Sequence, residues 1–232
     1  MNNSELAWAV LVEPKRAFTA LREQPRFWFP LLATAFACTA LFAWYYSTVD
    51  IAWLSAHILD SDLRTKAMSD AERTAATATM TRGFLLGTSL LAIVLGTAIL
   101  RVVEAAYFLL AGRAMAVPLS FKQWMALTCW SAWPHVLLVF VMSVAVITHG
   151  NGQIGSEQLN LLSLNELFFH TPTGHTWNPL LNTLTLLHPW VWWLTVLGAH
   201  AWSGRSWTFS AVFALLPVAA LYGVWALMAF IS

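Results

Sequence analysis

Arg101 and Glu104 are the residues of this chain best placed to do chemistry: two opposite charges, three positions apart, inside an apolar run. That spacing puts both on one face of a helix, close enough to pair. A charge within a membrane span costs about 2.5–3.5 kcal/mol on insertion scales, so such residues turn towards a partner or a cavity. One role is a polar lining for an ion or solute path. The plainer one has Arg101 reaching back to the membrane interface while Glu104 compensates it. His149, His170, His175 and His188 suggest something else, imidazoles converging on zinc. No His-Glu-x-x-His helix accompanies them, and polar interface residues are the simpler reading. His135 and His200 lie within or beside apolar runs, as partners for backbone or other side chains. Gly-x-Ser-x-Gly, a phosphate-binding glycine loop and Cys-x-x-Cys are all missing from the sequence. Cys38 and Cys129 sit inside apolar runs as small filler. These residues point to no enzyme, no cofactor and no metal.

The elements that position them belong to a membrane. Of the 232 residues 59% are hydrophobic and 10% charged, far below the ~25% charged of soluble domains. From Gly83 to Leu100 no residue is charged, and as a helix that run spans roughly 27 Å, close to a bilayer's hydrocarbon core. Five stretches are long enough to cross: 28–49, 83–110, 124–148, 184–201 and 209–231. The fourth is the shortest and carries His188 and Pro189 near its start. Many of the fourteen tryptophans lie near the ends of these runs, as an interface belt would place them. The net charge of +1 is too balanced for nucleic-acid binding. The expected fold is all-α: a five-span bundle (28–232) behind a short head (1–27).

Orientation follows from lysine and arginine. Lys15, Arg16, Arg22 and Arg26 precede the first span, Arg113 and Lys122 fill the second connection, and Arg205 lies in the fourth. The third connection, 149–183, has neither lysine nor arginine. This places the N-terminus in the cytoplasm and the C-terminus outside. The first connection runs against the rule with Arg64, Lys66, Arg73 and Arg82, though it also carries Asp50, Asp60, Asp62, Asp70 and Glu72.

Ser69 and Glu72 have capping-box spacing, so a helix starts there and leads into the second span. After the Gly150-Asn151-Gly152 turn, Ser156 is placed to cap a leucine-rich helix running to Phe169, lying on or dipping into the outer surface. In the head, Pro14 opens a helix that puts Phe18 and Leu21 on one face and Lys15, Arg16 and Arg22 towards the other. Such a helix can lie on an anionic inner leaflet, cap the span bundle, or do both. Gly83 and Gly87 are four apart, as are Ala92 and Gly96, which lets helices approach closely. Packing within the bundle is the first expectation, homodimerisation the second.

Several segments resemble bacterial Yip1-family membrane proteins. They are Val12-Glu13-Pro14-Lys15-Arg16-Ala17-Phe18 followed by Leu21-Arg22-Glu23-Gln24-Pro25; Ser120-Phe121-Lys122-Gln123-Trp124 with Trp130-Ser131-Ala132-Trp133-Pro134; 159–167; and 198–202 with Ser206 and Pro217. The resemblance implies an all-helical membrane protein with five spans and a cytoplasmic N-terminus, and little more about activity. Five spans, a small cationic head and the lack of a catalytic constellation point to a non-enzymatic protein of the cytoplasmic (inner) membrane, acting through contacts with lipid, other membrane proteins or a second copy. The resemblance does not extend to GTPase binding, because the head is short and lacks the Asp-Leu-Tyr-Gly-Pro type motif of eukaryotic relatives. The competing functions are a small solute or ion transporter using Arg101 and Glu104, and a metal enzyme using the outer histidines.

Overall fold

Local rules of helix initiation shape the start of the chain. In α1 (Asn3–Val12), Asn2 Oδ1 accepts the Glu5 N–H while the Glu5 carboxylate accepts the Asn2 N–H, a reciprocal cap. Pro14 then opens α2 (Pro14–Glu23), where its missing N–H leaves no helical bond unmade. A computed structural model describes residues 1–61 and 65–231, with Lys66 lacking a described side chain. Asp62 and Arg64 of the charge count, the Lys66 side chain and Ser232 therefore lie outside the described residues.

Nine further α-helices follow among the described residues: α3 (Trp28–Thr48), α4 (Ile51–Ser61), α5 (Asp70–Thr79), α6 (Arg82–Ala114), α7 (Phe121–Ser131), α8 (Val136–Thr148), α9 (Asn178–Thr183), α10 (His188–Ser203) and α11 (Trp207–Ile231). Among the described residues there is no strand, only an isolated antiparallel bridge between Ser163 and Thr185. Ser69 and Glu72 cap α5 reciprocally, as their spacing predicts. Ser120 and Gln123 do the same for α7. Pro134 interrupts the third apolar run: α7 stops at Ser131, one tight turn covers Trp133–His135, and α8 resumes at Val136.

Among the described residues four helical runs are long and apolar enough to cross a membrane: Trp28–Thr48, Arg82–Ala114, Phe121–Thr148 and Trp207–Ile231. The stretch expected at 184–201 is instead α10, whose 16 residues reach about 24 Å. It starts late because the backbone before it is committed elsewhere. Leu184 O accepts the Leu164 N–H at 2.8 Å, and the Leu186 N–H donates to Leu162 O at 3.1 Å.

The leucine-rich helix expected from Ser156 to Phe169 is also broken, into short turns at Ser156–Leu159 and Asn165–Phe169. Polar side chains bond the backbone in its place. Asn165 Oδ1 accepts the N–H and hydroxyl of Thr171 (2.9 and 2.6 Å), and Asn160 Nδ2 donates to Asn182 O at 3.1 Å. Asparagine and serine compete with helix bonds in this way wherever they recur at short spacing.

The chain divides into two compact units. The first comprises Met1–Phe36, Leu95–Val136 and Leu187–Val224. Its core joins Phe18 and Leu21 of the head to Trp124, Leu127, Leu197 and Trp202. Trp124, Trp130 and Trp202 are fully buried, so these three tryptophans depart from the expected interface belt. Trp8, Trp28 and Trp207 are exposed. The second unit comprises Ala37–Val94, Leu137–Leu186 and Trp225–Ser232. Its core gathers Leu41, Tyr45, Val49, Leu54, Ala145 and Leu159.

Candidate functional site

In the first unit the head helix is locked in place. Ala17, Phe18 and Leu21 are completely buried, whereas Lys15, Arg16 and Arg22 on the other face are exposed. The Phe18 ring meets Trp202 edge-on at 6.3 Å, and Trp202 Nε1 donates to Phe18 O at 2.7 Å. Gln123 Nε2 donates to Arg22 O at 3.0 Å, and Trp130 Nε1 to Arg26 O at 2.5 Å. Side chains of α7 and α10 thus bind carbonyls along the head and just beyond its last turn, where helical partners run out. Of the two expected uses of the head, the cap is the one whose contacts are made. Its apolar face has no surface left for lipid.

Gly198 makes this seat possible. A Cβ there would stand 2.2 Å from Leu127 Cδ1 and 3.1 Å from Phe18 Cδ1. Beside the seat, Trp124 stacks on Phe108 with ring centroids 5.3 Å apart, and Phe213 lies 5.7 Å from Trp124. At Gly83, Gly87 and Gly96, by contrast, a Cβ would meet nothing within 4 Å. Among the described helical glycines the close approaches are instead at Gly198 and at Gly112, where a Cβ would stand 3.0 Å from Val117 O and 3.2 Å from Trp124 Cζ2.

Arg101 and Glu104 pair as their spacing requires. Arg101 Nη1 donates to Glu104 Oε2 at 2.6 Å and to Thr128 O, on α7, at 3.4 Å. The Arg101 side chain is 14% exposed, so its charge is turned onto protein partners and does not reach out to water. Sequence spacing does not join this pair to three other residues of the unit. His135 lies 5.0 Å from His188 between ring centroids, and Tyr222 Oη bonds His188 Nε2 at 3.2 Å. His135 and His188 each sit next to a proline in a broken apolar run; that was the signal available.

In the second unit His57 Nε2 meets Glu157 Oε1 at 2.6 Å, and the Trp53 ring stacks on His57 at 4.7 Å. Tyr45 Oη donates to Ile154 O at 2.8 Å. A cavity of about 150 Å³ opens beside Tyr45, lined also by Trp44, His149 and Gly152. Among the described residues no three His, Cys, Asp or Glu side chains gather closely enough to hold a metal ion. His188, weighed with the outer histidines for zinc, lies in the other unit beside His135. Outside the spans, hydrogen bonds from the Ser69 hydroxyl and backbone N–H hold the Glu72 carboxyl below its ordinary value.

The long helices carry Phe36, Leu91, Phe140 and Phe230 on their open faces, apolar surface that lipid would cover. Helices of membrane-crossing length with such faces define an integral, multi-pass helical membrane protein. The Yip1 domain profile matches residues 8–228, nearly the whole chain, and the protein belongs to the Yip1 family. Among curated proteins and among solved structures, nothing matches the chain.

Proposed function

We propose that this protein is a non-enzymatic component of a bacterial inner membrane, with its N-terminus in the cytoplasm, acting through contacts with anionic lipid and neighbouring membrane proteins. The observation that carries the reading is the seated head. With Phe18 and Leu21 closed on α7 and α10, the face of α2 that remains free is cationic. Lys15, Arg16, Arg22, Arg26, Arg113, Lys122 and Arg205 are all exposed in the first unit, and hydrogen bonds tie the head to α7 and Arg205 to Met115. Glu5, Glu13 and Glu23 are the acids set against them. Exposed Trp8, Trp28 and Trp207 supply the amphipathic rings that favour headgroup depth. A fixed cationic surface of this kind attracts anionic headgroups by about 1 kcal/mol per basic residue near the membrane.

The test is lipid retention. Purified protein from mixed phosphatidylglycerol–phosphatidylcholine nanodiscs should keep phosphatidylglycerol preferentially in native mass spectrometry. The triple variant Lys15→Gln, Arg16→Gln, Arg22→Gln should lose most of that preference at unchanged thermal stability. Equal retention of the two lipids by the natural chain would remove the reading.

The transporter is the second reading, and the placing of Arg101 favours it. Its guanidinium turns inward onto Thr128 O, just before the break in the third apolar run. Broken spans recur at transport sites because they free backbone carbonyls. Solute or ion flux into liposomes that falls in Arg101→Ala, with stability unchanged, is the result that would put this reading first. Flux equal to that of empty liposomes would eliminate it.

A further inference from the structure

Polar groups from four elements of the first unit meet at the break between α7 and α8. From the third apolar run come Thr128 and Ser131, in the last turn of α7, and His135, in the tight turn that follows. α6 contributes Arg101 and Glu104, the first turn of α10 contributes His188, and α11 contributes Tyr222. Tyr222 lies within electrostatic reach of both charges of the Arg101–Glu104 pair and bonds His188, whose ring stands beside His135. Cys129 is also within reach of both charges, and Trp192 packs edge-on against His188.

The protein atoms do not complete this cluster. Ser131 Oγ and His135 Nε2 are buried and have no hydrogen-bond partner among the described residues. In lipid an unmade hydrogen bond is especially costly, since bulk water cannot replace it. Something else must therefore bond there. A metal is disfavoured, because no group of three ligating side chains is found among the described residues. An anion is disfavoured too, because Glu104 already takes the charge of Arg101. What remains is a set of protonatable groups: Glu104, the bonded pair Tyr222 and His188, and His135 beside His188. Carboxylate–histidine clusters of this kind inside a bilayer suit proton exchange.

We propose that Glu104, His135 and His188 form an intramembrane proton-binding site, hydrated at His135 Nε2 and Ser131. The incoming proton adds to a lone pair of the Glu104 carboxylate, forming one O–H bond. The ionic contact with Arg101 then becomes a hydrogen bond to a neutral acid, and the cluster passes from no net charge to one positive charge. Arg101 keeps Thr128 O as a partner and, by repulsion, prevents the proton from being held permanently. His188 and His135 offer the next lone pairs. The site goes beyond both functional readings, since a bound proton can serve a sealed protein as well as a conducting one.

Infrared titration of the protein in lipid nanodiscs tests this directly. A protonated-carboxyl band should persist at pH values where exposed carboxylates are already ionised, and it should vanish in Glu104→Gln. Arg101→Gln, which removes the repelling cation, should raise the proton affinity of Glu104 by about tenfold or more, a shift of one pH unit. His135→Asn should displace the band while the amide bands stay unchanged, a response that mere loss of packing would not give. If Glu104→Gln does not fold, the Arg101 and His135 variants still decide the matter. A carboxyl band that titrates only with the exposed acids, identically in the natural chain and in both of those variants, overturns the proposal.

Discussion

A single missing methyl group at position 198 lets three helices come together. Leu127 and Phe18, the neighbours a Cβ would strike, are both fully buried, so neither can swing away without disturbing α7 or the head. Gly198→Ala is therefore an overpacking substitution and should cost about 1–3 kcal/mol, read as a fall in Tm in detergent. Gly87→Ala and Gly96→Ala provide the contrast, because their Cβ positions are open. Alanine is the better helix former, so each should leave stability unchanged or raise it by up to about 1 kcal/mol. A uniform loss across all three variants would mean that the local fit at Gly198 does not matter. Spacing drew attention to Gly83, Gly87 and Gly96, whereas Gly198 stands alone among large side chains, its contacts made by residues far away in sequence. The same limit hid the meeting of His135, His188 and Tyr222, which three separate elements bring together.

At the scale of elements, the capped helix α5 offers a pH test with a defined sign. Ser69 donates to Glu72 through its hydroxyl (2.7 Å) and its backbone N–H (2.8 Å), which favours the ionised carboxylate. The carboxyl is thereby lowered below its ordinary value near 4.5. A group lowered on folding stabilises fully above its unfolded value, and that contribution fades as pH falls through the lower one. Amide exchange over 70–79 should therefore quicken, beyond its intrinsic pH trend, as pH drops below the ordinary glutamate range. Ser69→Ala should abolish that excess and exchange faster already at neutral pH; a flat response in the natural chain would contradict the cap. This helix was legible because capping is local: two residues three apart suffice. The leucine-rich outer connection was not, because its helical spacing is overruled by Asn160, Asn165 and Thr171, which bond across turns. In the head the alternation was legible, but Phe18 has the same periodicity whether lipid or Trp202 receives it.

Over the whole molecule, composition marked four of the long apolar helices to within a few residues, since some twenty apolar side chains leave a chain little alternative in lipid. The stretch expected as a fifth crossing is where length alone misleads, because α10 is too short to span as a helix. Non-helical backbone at membrane depth is tolerable only where its polar groups are bonded and covered by protein. The segment leading into α10 meets that condition only in part: Leu184 and Leu186 bond the backbone of Leu164 and Leu162, and Thr185, Leu181 and Leu180 are buried, but Leu186 is half exposed. On the orientation that lysine and arginine imply, a reporter active only outside the cytoplasm should give signal when fused to the C-terminus and none when inserted beside Arg113. Silence at both positions would mean that α10 turns back without crossing, leaving four passages and both ends in the cytoplasm; signal at Arg113 alone would invert the orientation read from lysine and arginine.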